Sequence, residues 1–200
     1  SQAPKAALVE EMYKYQVQVE DKNADAELHY ELVKGPQGMQ LSNTGKLVWI
    51  PKASQVNKHT FSIKVSDGYH EDNQTGRIFV NIPPSIISRP KPVGLTGYEY
   101  HYRIVAEDLN NDRVTFRSIR LPKYASFNKK TGQFKWRPRN SQLGPQDVII
   151  TAIDERGATT THQFQIHVFD NPDARRFVNT GWPLMLTFVG VMFAWGVAQF

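Results

Sequence analysis
Two hydropathy patterns divide the chain. Apolar and polar residues alternate through most of its length, and near the end the alternation gives way to a continuous apolar run. YKYQVQV (13–19) and YHYRIVA (100–106) place aromatic and β-branched side chains at every second position, as strands with one buried face do. LHYEL, LVWI, FSIKV and IFVNI carry the pattern through residue 82, and VTF, FKW, VIITAI and FQIHV carry it through residue 168. GPQG, NTG, SDG, KTG and ERG separate these runs and read as turns, because Gly, Asn and Asp supply the conformations that chain reversals need. Many short strands at this spacing predict an all-β chain organised as β-sandwiches.

The pattern occurs twice. Asp21, Asn23 and Asp25 map onto Asp108, Asn110 and Asp112 with an offset of 87 residues. The same offset carries TGKLVWIP (44–51) onto TGQFKWRP (131–138) and FSIKVSDG (61–68) onto VIITAIDE (148–155), aligning Asp67 with Asp154. Three separated blocks at one offset mark a tandem duplication. The expected domains are 1–82 and 93–170, each large enough for a modest core. PPSIISRPKP (83–92) between them, with four prolines, reads as a stiff extended linker. The Trp of each TG-x-x-x-W-x-P block is a core anchor in this reading, with an exposed sugar-stacking platform as the alternative.

From Phe177 to Phe200 no charged residue occurs. Counted from Pro183, eighteen residues would rise about 27 Å as a helix, near the thickness of a bilayer's hydrocarbon core. A single transmembrane helix over 183–200 is therefore expected, after a juxtamembrane segment 171–182. Gly190, Ala194 and Ala198 recur at spacing four and would form a small-residue face for packing against another helix. Arg175 and Arg176 favour a tail-anchored orientation with the β-domains in the cytoplasm. SQAPKAA has the character of a mature N-terminus left by signal-peptide cleavage, and the expectation adopted is an extracytoplasmic pair of domains, periplasmic or at the cell surface.

Charge separates the two halves. Residues 1–82 hold nine Lys or Arg against ten Asp or Glu, and residues 83–176 hold fifteen against nine. Within 113–146 there are nine basic residues and no acid. Strand alternation puts Lys135, Arg137 and Arg139 on one face, opposite Phe134 and Trp136. With Arg117 and Arg120 these residues form a candidate basic docking surface, for anionic lipid headgroups or for an acidic face of a neighbouring membrane protein subunit. Nucleic acid and small-molecule substrates are not expected partners. No catalytic constellation emerges either. Cysteine is missing, the six histidines are scattered, and no nucleophile elbow or phosphate loop occurs.

The string A-E-D-x-N-x-D-x-V-T-F, then L-P, then F-x-x-x-T-G-x-F-x-W-x-P, then G-x-x-D-V-x-I-x-A-x-D, resembles the dystroglycan-type cadherin-like domain. It is also similar to the putative-Ig repeats of bacterial surface proteins. Both copies carry the resemblance, over roughly 8–169. It implies two tandem Ig/cadherin-like β-sandwich domains of seven strands each, usually outside a membrane. It also raises calcium as a cofactor, since Ca²⁺ takes six to eight oxygen ligands. Asp21, Asn23, Asp25 and Asp67 would serve one domain, and Asp108, Asn110, Asp112 and Asp154 the other. The competing reading of the same residues is turn capping, in which the side-chain oxygens accept nearby backbone amides. The functional expectation is a non-enzymatic, single-pass accessory or scaffold subunit of a membrane complex. The alternative is an adhesion or carbohydrate-binding module, calcium-dependent if the acidic loops bind metal.

Overall fold
A computed structural model of the chain describes residues 1–20 and 27–170. The strands are β1 (Ala6–Leu8), β2 (Tyr13–Gln16), β3 (His29–Lys34), β4 (Gln40–Leu41), β5 (Lys46–Trp49), β6 (Asn57–Ser66) and β7 (Glu71–Asn81), followed by β8 (Ser85–Ile86). The second copy supplies β9 (Val93–Leu95), β10 (Tyr100–Arg103), β11 (Ala106–Glu107), β12 (Thr115–Arg120), β13 (Ser126–Asn128), β14 (Gln133–Trp136), β15 (Gly144–Ile153) and β16 (Thr159–Phe169). The described chain is all-β apart from two single-turn 3₁₀ segments, Ala53–Gln55 and Asn140–Gln142. Among the described residues no helix is long and apolar enough to cross a membrane. The expected span 183–200, with Gly190, Ala194 and Ala198, lies outside them.

Two compact units divide the chain. The first comprises 1–86, 106–115 and 152–160, and the second takes the remainder, including 87–92 of the proline-rich segment. In the first unit a sheet of order β1-β7-β6-β3 faces a sheet of order β2-β5-β4. Alternation along the strands sends Tyr13, Tyr15, Leu47, Trp49, Phe61, Ile63, Ile78 and Val80 into one buried cluster. Trp49 is 1% exposed, so the tryptophan is a core anchor and not a sugar platform. The second unit repeats the arrangement with sheets β12-β15-β16-β9 and β10-β14-β13. Its core is Tyr100, Tyr102, Ile104, Phe134, Trp136, Val148, Ile150, Ile166 and Val168. This is the two-sheet β-sandwich that the period-two pattern predicts.

The duplication extends to individual hydrogen bonds. Val17 N–H donates to Gly45 O at 2.9 Å, and Ile104 N–H donates to Gly132 O at 2.9 Å. Tyr13 Oη donates to Pro4 O at 2.9 Å, and Tyr100 Oη to Lys91 O at 2.6 Å. Burial raises both phenols, Tyr13 to about 12. Each copy begins with a short strand running parallel to the last long one, Ala6 opposite Phe79 and Val93 opposite His167. Sequence alternation misses both lead-in strands because three residues are too few to show a period. It also starts β7 too late, since HEDNQTGR (70–77) is polar although Glu71–Asn73 pair with Lys64–Ser66.

Both TG turns depend on glycine. Gly45 and Gly132 have φ of +76° and +68°, and a Cβ on Gly132 would stand 2.5 Å from Ile104 O. Gly157 has φ of +90° with open space around it. Gly157→Ala should therefore cost about 1–2 kcal/mol for the left-handed backbone alone. Gly132→Ala should cost more, because backbone must also move. Urea titration of the two variants measures the difference.

Candidate interaction face and acidic turns
The described acidic candidates, Asp67, Asp108, Asp112 and Asp154, lie in turns and the loops beside them. Asp67 Oδ1 accepts the N–H groups of Tyr69 at 2.8 Å and His70 at 2.6 Å. The backbone amides of His70 and Tyr69 hold its carboxyl below the usual range. Asp108 Oδ1 takes the N–H groups of Asn110 and Asp112 at 2.8 and 3.2 Å. Asp154, 5% exposed, does the same for Arg156 and Ala158, each at 2.8 Å. Turn capping is thus what these oxygens do.

Within the first unit the remaining valences are partly used. Asn81 Nδ2 donates to Asp154 Oδ2 at 2.7 Å, and Asn110 Oδ1 accepts Ile82 N–H at 2.9 Å. Asp112 Oδ2 meets Arg156 Nε at 2.9 Å as an ion pair, though without hydrogen-bond alignment. The Arg156 guanidinium also lies 3.6 Å from the centre of the Phe79 ring. Asn81 Oδ1 and Asp108 Oδ2 are buried with no hydrogen-bond partner. Among the described residues no group of three or more His, Cys, Asp or Glu is placed to hold a metal ion. Asp21, Asn23 and Asp25 lie outside the described residues.

The basic residues of the second unit are set out by strand geometry. Gln133, Lys135, Arg137 and Arg139 are exposed, alternating with buried Phe134, Trp136 and Pro138. Arg139 stacks over the Tyr124 ring at 3.8 Å, and Arg120 pairs with Asp147 at 3.1 Å. Arg117 and Lys135 share a groove of ≈ 790 Å³ with Lys129 and Lys130. The expected docking surface is therefore two neighbourhoods, this groove and the Arg139–Tyr124 stack. Lys129 and Lys130 belong to the groove although strand alternation could not assign them, because they lie in the turn after β13.

The second unit also carries a half-buried polar cluster. Tyr102 Oη lies 2.8 Å from Ser88 Oγ and 3.1 Å from His162 Nε2. The first unit places Ser1, Tyr15 and Gln74 in the matching arrangement. Burial lowers the His162 imidazole below its ordinary 6.5, so the fold favours its neutral form.

A family model for the Putative Ig domain matches residues 83–169. No curated protein matches the chain. Among solved structures, extracellular domains 3–5 of Drosophila OTK align with a TM-score of 0.56 at 11% identity, over 84% of this chain and 59% of that one. Immunoglobulin domains 1–4 of Sidekick-1 align at 0.49 and 9% identity, over 84% and 47%. An endo-fucoidan hydrolase of glycoside hydrolase family 107, MfFcnA4, aligns at 0.35 and 18% identity, over 85% and 28%. This chain thus spans less than two thirds of each of these structures. At these identities the likeness concerns the fold alone, an Ig-like β-sandwich.

The lowered His162 value carries a sign. An unfolded imidazole titrates near 6.5 and the folded one lower, so in the window between them the unfolded chain binds more protons and stability rises with pH. The contribution is complete above about 6.5 and is lost as pH falls through the folded value. His162→Gln, which copies Gln74, should flatten this part of the stability profile. Thermal midpoints of both proteins between mildly acidic and neutral pH measure it.

Proposed function
We propose that this chain is a non-catalytic accessory or scaffold subunit of a membrane protein assembly. It is held by a single span over 183–200, with its sandwiches outside the cytoplasm. The observation that carries this reading is the exposed basic face of the second unit, where 116–146 contains eight Lys or Arg and no acid. Arg120 is engaged by Asp147 and Arg139 by the Tyr124 ring, whereas Arg117 and Lys135 on strands and Lys129 and Lys130 in the turn after β13 line the open groove. Such a face suits an acidic neighbour, which it would orient and capture by long-range attraction. Ig-like sandwiches are generally non-catalytic and commonly serve as interaction modules, which agrees with this role.

The rival reading is an adhesion or carbohydrate-binding module stiffened by calcium. Its support is the pair of buried, unpartnered oxygens, Asn81 Oδ1 and Asp108 Oδ2, which an oxygen-seeking cation would satisfy. Against it, Arg156 already lies within ion-pair distance of Asp112 Oδ2.

Two measurements separate the readings. After extraction in mild detergent, the chain should co-purify with a fixed set of membrane proteins. Lys135→Glu combined with Arg137→Glu and Arg139→Glu should strip that set away. A chain that elutes alone, or a set indifferent to the reversals, overturns the subunit reading. The thermal midpoint should be unchanged by calcium or chelator. A calcium-dependent rise, which binding to the folded state alone would produce, supports the rival.

A further inference from the structure
The two copies differ at a place where the fold does not require it. In the second unit the groove floor is Phe116 and Phe127, with Arg117, Lys129, Lys130 and Lys135 around it. The matching floor of the first unit is also apolar, Tyr30 and Leu41. Its rim is different. Glu31 stands for Arg117, Val48 for Lys135, and Asn43 alone precedes the TG turn where the second copy has Lys129 and Lys130. Glu31 is neutralised by Lys64 at 2.9 Å. None of the four groove cations meets a carboxylate within ion-pair distance among the described residues.

Both walls of this groove are sheet edges. β12 ends the sheet β12-β15-β16-β9, and β13 ends the sheet β10-β14-β13. Phe116 N–H crosses the gap to Lys129 O at 2.9 Å, which fixes the outward direction on β12. Backbone groups alternate in direction along a strand, so Ser118 also turns its N–H group outward. No strand of the described residues lies beyond it. Residues 117–120 are exposed throughout. Charged side chains on an edge can simply discourage aggregation, and Arg117 and Arg120 would suffice for that. They leave unexplained the three lysines across the gap.

We propose that this groove takes an extended acidic peptide segment of a partner protein. The segment adds a strand to β12, starting from the outward N–H of Ser118. Its carboxylates, on alternate residues, face Arg117, Lys129, Lys130 and Lys135. The inference rests on the docking reading above and specifies its chemistry. An unpaired backbone edge offers ladder hydrogen bonds that a peptide can complete. A sulfated glycan or a lipid surface would use the charges and leave the edge unused.

The test uses the full chain in detergent and a fluorescent peptide of alternating Glu and Val, read by anisotropy. Binding should weaken with salt, and should fall about tenfold or more in Lys129→Glu combined with Lys135→Glu. Ser118→Pro removes an outward N–H that the sheet does not use. It should weaken binding similarly while leaving the thermal midpoint close to that of the parent. A peptide N-methylated at alternate residues keeps its charge and loses its ladder, so it should not bind. Equal binding of the methylated peptide overturns the proposal. So does tighter binding of a sulfated oligosaccharide of matched charge, or of phosphatidylglycerol vesicles. If the peptide fails while co-purification remains sensitive to Lys135, Arg137 and Arg139, strand addition falls and docking stands. If no proteins co-purify, docking itself falls.

Discussion
Each sandwich is closed by one left-handed glycine. Gly45 and Gly132 give their carbonyls to Val17 and Ile104. The strands that follow them bury Leu47 and Trp49 in one copy, Phe134 and Trp136 in the other. The positive φ turns the chain back within one sheet, so that β5 pairs antiparallel with β4 and β14 with β13, and the missing Cβ lets the turn approach the Tyr30 ring in one case and Ile104 O in the other. Pro51 and Pro138 at the ends of the blocks accept the N–H groups of Glu10 and Gly97. TG-x-x-x-W-x-P is therefore a closure device. Its Trp fills the core, and its two ends tie the turn and the lead-in to the sheets.

This explains which parts of the molecule were legible in the sequence. Alternation marks β5 and β14 because one face of each meets a dry core and the other is more open to water. The lead-in strands are invisible to it, since they are held by neighbours such as Asn81 O, which accepts Val9 N–H, and not by their own periodicity. Residues 88–92 read as linker, yet Pro92 O accepts His167 N–H and Ser88 Oγ accepts Val105 N–H. Proline content signals stiffness and gives no information about what a stiff segment lies against. The acidic loops show the same limit at a site. Metal ligation and turn capping draw on identical residues, and the sequence does not tell where the backbone amides lie that Asp67, Asp108 and Asp154 accept in the fold.

Duplication also provides an internal control for function. Where both copies keep a feature, such as the Tyr13 and Tyr100 hydroxyls donating to the lead-in, the fold accounts for it. Where they part, the sandwich has tolerated the change, and the difference points elsewhere. The rim of the β12–β13 groove is such a place, with Glu31 and Val48 in one copy and Arg117 and Lys135 in the other. Charge read along the sequence locates the excess, and the edge strands turn it into a surface with a direction.

Two copies of one fold in a single chain carry a hazard of their own. Each lead-in strand could in principle settle in the other copy's parallel slot, beside β7 or β16, and tangle the chain as it folds. Gly94 bears on this. A Cβ there would stand 3.2 Å from Ile166 Cγ2, and the first lead-in carries Ala7 at the corresponding position. The methyl group that belongs in the first slot is a tight fit in the second, so a single carbon atom weighs against β1 settling beside β16.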